Sequence, residues 1–457
     1  MASFTRTRNT FSASPGWQRE GWSVSDALVF LVGLGSALTF HFIGEILVAE
    51  LLLVLCLPFL YLLRSRTAVR AGVFPIYVLL GAWLIGQAMT DVYRESATRD
   101  WMRGDAQIIF LGMNLFALML LIGRDNRSKM IFWTGYALSA LLAARFQPSE
   151  FTYTDPWKFG YAEGVILLVV LVSCYFYMRG NYLVVTILLC GIAAVNLLMN
   201  FRSKVLFLLV TLAMVVPIIP ERIGRLRLLP RKGTTARVLV SVLFMVIAGS
   251  VAANLVRLAT AKGLVGEEAQ IKNREQSEVS LGMLLGGRPE ILVSSRAVIE
   301  SPFLGYGSWA RSWKYEEMLN DILARRGGDV NFAYAESLDE PYIPSHSHLM
   351  GAWVNAGILG AIFWAYIFWL SIKAFLRVAK MLPPLAPLYT YLLASITWDI
   401  LFSPFGNTRR IAEAVVILII LDTRVADAVQ ASVVNRGYGR GWRRMPPSER
   451  VAMPSGT

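Results

Sequence analysis

Charged residues are scarce in this chain of 457 residues, of which Asp, Glu, Lys and Arg make up only 16%. A soluble domain of ordinary composition carries about 25%. Apolar residues make up 55% and come in long blocks, which argues against a soluble domain and indicates a membrane protein. The net charge is +13, but the basic residues lie between the apolar blocks. We therefore attribute them to orientation in the membrane and expect no nucleic-acid partner.

Cysteine and histidine are also rare, with three residues of each. Cys56, Cys174 and Cys190 lie inside apolar runs without metal-ligand spacing, so we interpret them as packing residues. The sequence has no Walker A loop and no recognisable soluble nucleotide-binding domain. The energy for any group transfer would therefore come from the substrate itself. The polar N-terminus lacks the pattern of a cleaved signal peptide.

About twelve apolar runs approach the ~20 residues that a membrane-spanning helix needs. They are Ala27–Phe42, Glu45–Leu63, Ala71–Thr90, Ala106–Leu121, Ile131–Arg145, Tyr161–Met178, Tyr182–Leu198, Val205–Ile219, Val238–Leu258, Leu349–Ser371, Leu385–Phe402 and Ile411–Leu421. The sequence thus predicts an all-α polytopic membrane protein with about twelve transmembrane helices.

Basic residues are concentrated in alternate connections between these runs, most densely in Arg222–Arg237. This asymmetry follows the positive-inside rule and predicts that both termini are cytoplasmic. The expected segments are a cytoplasmic N-terminal segment at 1–25, transmembrane helices at 26–258, an outer loop at 259–345, transmembrane helices at 346–422 and a cytoplasmic basic tail at 423–457.

The outer loop between the ninth and tenth predicted spans is unusually long, and loops of this length are often functional. One amphipathic stretch ends at the Pro302–Gly307 turn. A second stretch places Met318, Leu319 and Ile322 at helical spacing. These patterns predict an ordered cap, containing amphipathic helices, that lies on the membrane.

Two arginines near the outer boundary are candidate phosphate ligands. Arg202 lies in the short turn between the seventh and eighth spans, which keeps its charge close to the bilayer surface. A snorkelling arginine is the alternative there. Arg288 follows two glycines, which allow the backbone to approach a phosphate closely. The alternative for this stretch is an ordinary turn.

His346, Ser347 and His348 mark the point where the outer loop meets an apolar run. Residues at i and i+2 do not share a helix face, and no Glu or Cys follows at zinc-site spacing, so a metal site is poorly supported. One histidine that accepts a proton is a better interpretation, because its pKa lies near neutrality. A structural histidine that caps a helix or forms buried hydrogen bonds is the alternative.

These features complement one another chemically, since two arginines and a histidine are expected on the same side of the membrane. A diphosphate on a lipid carrier requires fixed positive charge, and arginine binds phosphate oxygens in a bidentate manner. A saccharide hydroxyl that attacks such a donor requires a base or an orienting group.

The motifs resemble those of the O-antigen ligase and O-antigen polymerase superfamily of bacterial envelope enzymes. The stretch NFRSKVLFLLV is similar to that family's arginine turn before a span. The stretches GGRPEI and SPFLGYG resemble its loop arginine and its Pro-x-x-Gly-x-Gly turn, although Leu292 stands where a tryptophan is usual. The stretch HSHLMGAWVNAGILG resembles its histidine motif. The similarity covers Tyr182–Leu382.

The resemblance implies a GT-C-type fold and transfer of a glycan from undecaprenyl diphosphate to a saccharide acceptor at the periplasmic face. No metal or other cofactor is implied. His346 becomes the catalytic histidine, and Arg202 and Arg288 bind the diphosphate, with Arg296 as a rival for the loop arginine. The residues expected to support them are Ser347, His348 and Lys204.

Two enzymes of this type differ in their acceptor. We favour a polymerase that joins polysaccharide repeat units over a ligase that acts on lipid A-core. The expected location is the bacterial inner membrane, among membrane lipids, with a chain-length regulator and a flippase as further partners. The alternative from another class is a transporter or flippase, with Asp399 or Glu163 on its path. We interpret these two acids instead as hydrogen-bonded helix-packing groups.

Overall fold

The computed structural model describes residues 21–41, 45–63, 72–216, 288–325 and 340–424. It is about 79% helical. The predicted span Val238–Leu258 and most of the tail at 423–457 lie outside these described residues, as do the first 29 residues of the outer loop (259–287).

The described chain forms fifteen helices and one two-stranded ribbon. The helices are α1 (Val24–Leu34), α2 (Val48–Leu63), α3 (Val73–Tyr93), α4 (Thr98–Ile122), α5 (Asn126–Phe146), α6 (Glu150–Thr154), α7 (Ala162–Met178), α8 (Tyr182–Leu198), α9 (Arg202–Val215), α10 (Glu290–Glu300), α11 (Trp313–Arg325), α12 (His348–Ala356), α13 (Ile358–Met381), α14 (Ala386–Phe402) and α15 (410–424). A π-helical turn, Trp157–Tyr161, precedes α7, and a 3-10 turn, Asn407–Arg409, precedes α15.

Four helical segments are long and apolar enough to cross a membrane within the part of the chain that the structure describes. They are Val73–Tyr93, Thr98–Ile122, Trp157–Met178 and Ile358–Met381. The shorter apolar helices are α1, α2 and α8. The protein is therefore a helical membrane protein, as the composition predicts.

The first two predicted spans are shorter as helices than as apolar runs. Helix α1 ends at Leu34, where the N–H of Gly35 closes the helix on the carbonyl of Leu31. The chain then forms an antiparallel ribbon of β1 (Thr39–His41) and β2 (Glu45–Leu47) before α2 begins. Threonine and isoleucine favour strands, so hydropathy alone overestimates the helical length here.

The predicted span Leu349–Ser371 is two helices, α12 and α13, which are separated by Gly357. Gly357 has a φ of +67°, a backbone conformation that side chains with a β-carbon rarely adopt. A β-carbon at this position would overlap the carbonyl group of Phe303. The glycine therefore breaks the helix and admits the Pro302–Gly307 turn of the outer loop.

The Pro302–Gly307 turn docks on the end of α12 through hydrogen bonds. The backbone N–H of Tyr306 donates to the carbonyl of Val354 at 2.7 Å, and the Trp353 indole donates to the carbonyl of Pro302 at 2.8 Å. The last carbonyls of a helix have no partner within the helix. The turn supplies N–H donors to the carbonyls that the break at Gly357 would otherwise leave without a partner. Two motifs that are distant in sequence thus form one structural unit.

The outer end of α3 fixes the same turn from the other side. The buried carboxylate of Asp91 accepts hydrogen bonds from the backbone N–H of Ser308 at 2.6 Å and from its hydroxyl at 2.5 Å. The Arg94 guanidinium donates to the carbonyl of Gly305 at 2.8 Å and lies over the ring of Tyr306. The described part of the outer loop is therefore anchored to the bundle.

Replacing Gly357 with alanine will destabilise the protein. The substitution introduces both a strained backbone and an overlap with the Phe303 carbonyl, and we expect a loss of about 2 kcal/mol or more in the free energy of unfolding. Thermal unfolding in detergent measures this loss. The control is Gly191→Ala, because a β-carbon on Gly191 in α8 meets open space. Equal melting temperatures for Gly357→Ala and the wild type would contradict the proposed role of the break.

Candidate functional site

Arg288 connects the outer loop to the end of α14. It precedes Pro289, the N-cap residue of α10, and its Nη1 donates to the carbonyl of Phe402 at 2.6 Å. Burial lowers the pKa of the Arg288 guanidinium, while the carboxylates of Glu290 and Asp399 raise it. A guanidinium stays charged at neutral pH even when its pKa is lowered from a value above about 12, so Arg288 is a fixed and half-buried positive charge.

His346 lies beside Glu290. Glu290 is itself two residues along the chain from Arg288. The His346 Nδ1 is 3.6 Å from the Glu290 carboxylate, and 47% of the His346 side chain is exposed. Partial burial lowers the pKa of the imidazole below its usual value near 6.5. Glu290 opposes this shift, and the positive charge of Arg288 adds to it. The imidazole is therefore mainly neutral at pH 7 and able to accept a proton.

A cavity of about 1280 Å³ opens beside His346 and Glu290. It lies between the start of α4, the chain that follows the Pro302–Gly307 turn, and α11. Its positively charged lining consists of Arg94, Arg99, Arg103 and Arg311. Its carboxylates are Asp100, Glu290, Glu316 and Glu340, and its aromatic rings are Tyr306, Trp309 and Tyr342. Such a lining suits a polar ligand with ring faces, and the cavity is large enough for several sugar units.

His348 is completely buried, in contrast to His346. Its Nδ1 is 2.6 Å from the carbonyl oxygen of Ser403, and its Nε2 is 2.6 Å from a carboxylate oxygen of Glu413. Because a carbonyl can only accept, Nδ1 donates, and a proton is held between Nε2 and Glu413. The ring packs edge-on against Trp364 at 4.7 Å. His348 therefore holds α12 to the chain that follows α14.

Two further ion pairs lie between the helices near this point. The Arg409 guanidinium is 2.7 Å from the Asp399 carboxylate, and the Lys204 ammonium is 2.5 Å from the Glu163 carboxylate. Burial alone would lower the pKa of Arg409. The carboxylates of Asp399 and Glu413 have the larger effect, so the pKa of Arg409 is raised. Asp399 and Glu163 thus have cationic partners, which agrees with their interpretation as packing groups.

The sequence-predicted residues occupy different environments. Arg288 and His346 lie together around Glu290, and Ser347 is the N-cap of α12, where its hydroxyl accepts from the N–H of Met350. Arg202 begins α9, and its Nε donates to Asn200 at 3.1 Å. Lys204, on the same turn, carries a charge that acts on Asp399.

Arg296 is placed apart from the other candidates. It is a largely exposed residue of α10 that forms a 2.8 Å ion pair with Glu300, one turn further on. Neither loop arginine lines the cavity beside His346. The charge of Arg288 acts on His346, so Arg288 is the loop arginine that the structure brings to the histidine.

Three charged residues of this region were not identified from the sequence. Glu290 is two residues after Arg288, and Arg409 and Glu413 lie one helical turn apart at the start of the last apolar run. An arginine and an acid at i and i+4 at the start of an apolar run indicate buried ion pairs, since charges at the end of a membrane helix need partners. The signal was missed because the pairing partners Asp399 and His348 lie on other helices.

Comparison with models of protein families gives no match for this chain, and comparison with curated proteins gives none either.

Replacing Glu290 with glutamine will lower the pKa of His346 further. The carboxylate favours the imidazolium, so its removal leaves burial and Arg288 to act unopposed. NMR titration of histidine-labelled protein measures this directly, because the chain has only three histidines. The control is Glu300→Gln on the same helix, whose carboxylate pairs with Lys314 and Arg296. An unchanged or raised His346 pKa in Glu290→Gln would contradict the assigned contact.

Replacing His348 with leucine will destabilise the protein strongly, because the buried carboxylate of Glu413 loses its partner. Breaking a buried pair in this way costs about 3–5 kcal/mol. The double variant His348→Leu with Glu413→Leu removes both polar groups and should recover part of the loss. Unfolding in detergent gives the free energy of unfolding of the wild type, of each single variant and of the double variant. Additive losses in the double variant would show that the two side chains are not coupled.

Proposed function

We propose that this protein is a membrane glycosyltransferase that moves a glycan from undecaprenyl diphosphate to a hydroxyl of a saccharide acceptor. The observation that carries the proposal is the position of His346, which is half-exposed at the wall of a large cavity, lies beside Glu290 and is within the electrostatic influence of Arg288. A base, a fixed cation and room for a saccharide are the three elements that such a transfer requires.

In the proposed reaction, the acceptor hydroxyl attacks the anomeric carbon of the donor sugar from the cavity. A new carbon–oxygen bond forms as the bond from that carbon to the diphosphate oxygen breaks. His346 takes the hydroxyl proton, which its lowered pKa allows at neutral pH. The departing diphosphate carries the electron pair of the broken bond and is stabilised by Arg288, with Arg202 as the second proposed ligand.

Glu290 has a positioning role in this proposal. Its carboxylate lies 3.6 Å from the histidine and acts on the pKa of both His346 and Arg288. It can orient the imidazole toward the acceptor and stabilise the imidazolium that forms after proton transfer.

The membrane arrangement extends the proposal beyond the described helices. We propose about twelve spans in a GT-C-type arrangement, located in the bacterial inner membrane. Both termini are then cytoplasmic, and the loop at 259–345 is periplasmic. The basic residues in alternate connections support this orientation. Lipid-linked substrates would reach the site from the bilayer, and the acceptor would enter from the periplasmic side.

A repeat-unit polymerase is the favoured form of this enzyme, and a ligase that acts on lipid A-core is the other form. The two share the donor and differ in the acceptor. The transporter alternative is less well supported, because Asp399 and Glu163, its candidate path residues, are occupied by Arg409 and Lys204.

Separate substitutions of His346, Arg288 and Arg202 by alanine will each abolish or strongly shorten the polymer. Loss of a general base typically costs about 10²–10⁴-fold in rate. The measurement is transfer from a lipid-linked repeat unit by the purified protein in detergent, together with the length of the surface polysaccharide. The control is Arg145→Ala, an exposed arginine at the end of α5 that contacts Phe146. Normal polymer in all three variants would refute the mechanism, and loss of polymer with normal lipid A-core capping favours the polymerase.

A further inference from the structure

The cavity beside His346 has a positively charged wall that the proposed transfer does not use. Arg99 and Arg103 lie on the first two turns of α4 and are four residues apart, so their side chains share one helix face. Both line the cavity. Arg103 lies over the ring of Trp309, 5.4 Å from its centroid.

The other two arginines of the cavity are already engaged. Arg311 is 3.6 Å from the Asp100 carboxylate and stacks on Tyr342. Arg94 donates to the carbonyl of Gly305 and to the hydroxyl of Ser301. In the portion of the chain that is described, no carboxylate lies within ion-pair distance of Arg99 or Arg103.

The described carboxylates of the cavity form no ion pair with Arg99 or Arg103. Asp100 is paired with Arg311 at 3.6 Å, and Glu290 lies 3.6 Å from His346. Burial raises the pKa of Glu316. Glu340 accepts a hydrogen bond from the backbone N–H of Trp313 at 3.4 Å. Two guanidinium groups on one face therefore remain available to an anion.

We propose that the cavity binds a saccharide that carries an anionic substituent, a carboxylate or a phosphate, and that Arg99 and Arg103 receive this group. Guanidinium groups bind both kinds of anion through paired N–H donors. Trp309 and Tyr342 pack edge-on at an interplanar angle of 62°, with their centroids 5.6 Å apart, and both line the cavity, where aromatic rings can contact the apolar side of a sugar. This proposal names the substrate class of the proposed transferase and rests on that function only in taking the ligand to be a saccharide.

The test is calorimetric titration of the full chain in detergent with three probes. They are trigalacturonate, its neutral methyl ester and a trisaccharide that carries one phosphate. We expect at least one charged probe to bind about tenfold more tightly than the ester, and the stronger of the two identifies the anion. Its affinity should fall as salt is added.

The variants Arg99→Gln and Arg103→Gln should each weaken binding of the charged probe about tenfold and leave binding of the ester unchanged. Arg145→Gln is the matched control, because Arg145 is an exposed arginine that does not line the cavity. Equal affinity for charged and neutral probes, no binding of either charged probe at millimolar concentration, or an equal loss in Arg145→Gln would each overturn the proposal.

The binding test is independent of the proposed transfer. His346→Asn should lose transfer but keep the about tenfold preference for the charged probe over the ester. Selective binding of a charged probe without any transfer by the wild type would refute the transferase function but support the proposed anion-binding site. Transfer that depends on His346, with no preference for charged probes, would refute only the substrate class.

Discussion

Several charged side chains near the ends of the described helices have opposite charges beside them, and these pairs organise the bundle. Arg409 and Arg410 are neighbours in sequence but serve different partners, Asp399 on α14 and the fully buried Glu50 on α2. The start of α15 is thereby fixed from two directions. Arg410 and Glu50 are both buried. Removing one partner of such a pair leaves an uncompensated charge and costs about 3–5 kcal/mol, so this pair strongly specifies the position of α15.

Such pairs also determine where the candidate site lies. The chain between α14 and α15 is held by Arg409 at one end, and at the other by Ser403, whose carbonyl meets His348. Phe402, immediately before that serine, accepts the hydrogen bond from Arg288. The position of the proposed diphosphate ligand therefore depends on ion pairs that do not themselves touch the cavity. A substitution at Glu413 can consequently alter the site from a distance.

Local patterns were sufficient to predict much of this architecture. Apolar runs identify most helices, and the amphipathic pattern of the outer loop identifies α10 and α11. The break at Gly357 could not be read from hydropathy, because a glycine inside an apolar run is common in membrane helices. Its cause is the Pro302–Gly307 turn, which is some fifty residues away and meets α12 only in the folded protein. Arg409 and Glu413 were missed for the same reason, since their partners lie on other helices.

The two histidines of the boundary segment show how one short sequence can serve two purposes. Ser347 is extended, with φ of −156° and ψ of 136°, and it caps α12. Side chains on either side of an extended residue point in nearly the same direction, but the helix begins at His348 and turns that side chain inward. His348 is thus enclosed between Glu413 and Trp364, while His346 stays at the cavity wall. A buried imidazole cannot reach an acceptor, so of the two histidines His346 alone can act as the proposed base. His348 contributes by holding the start of α12, which His346 precedes, in place.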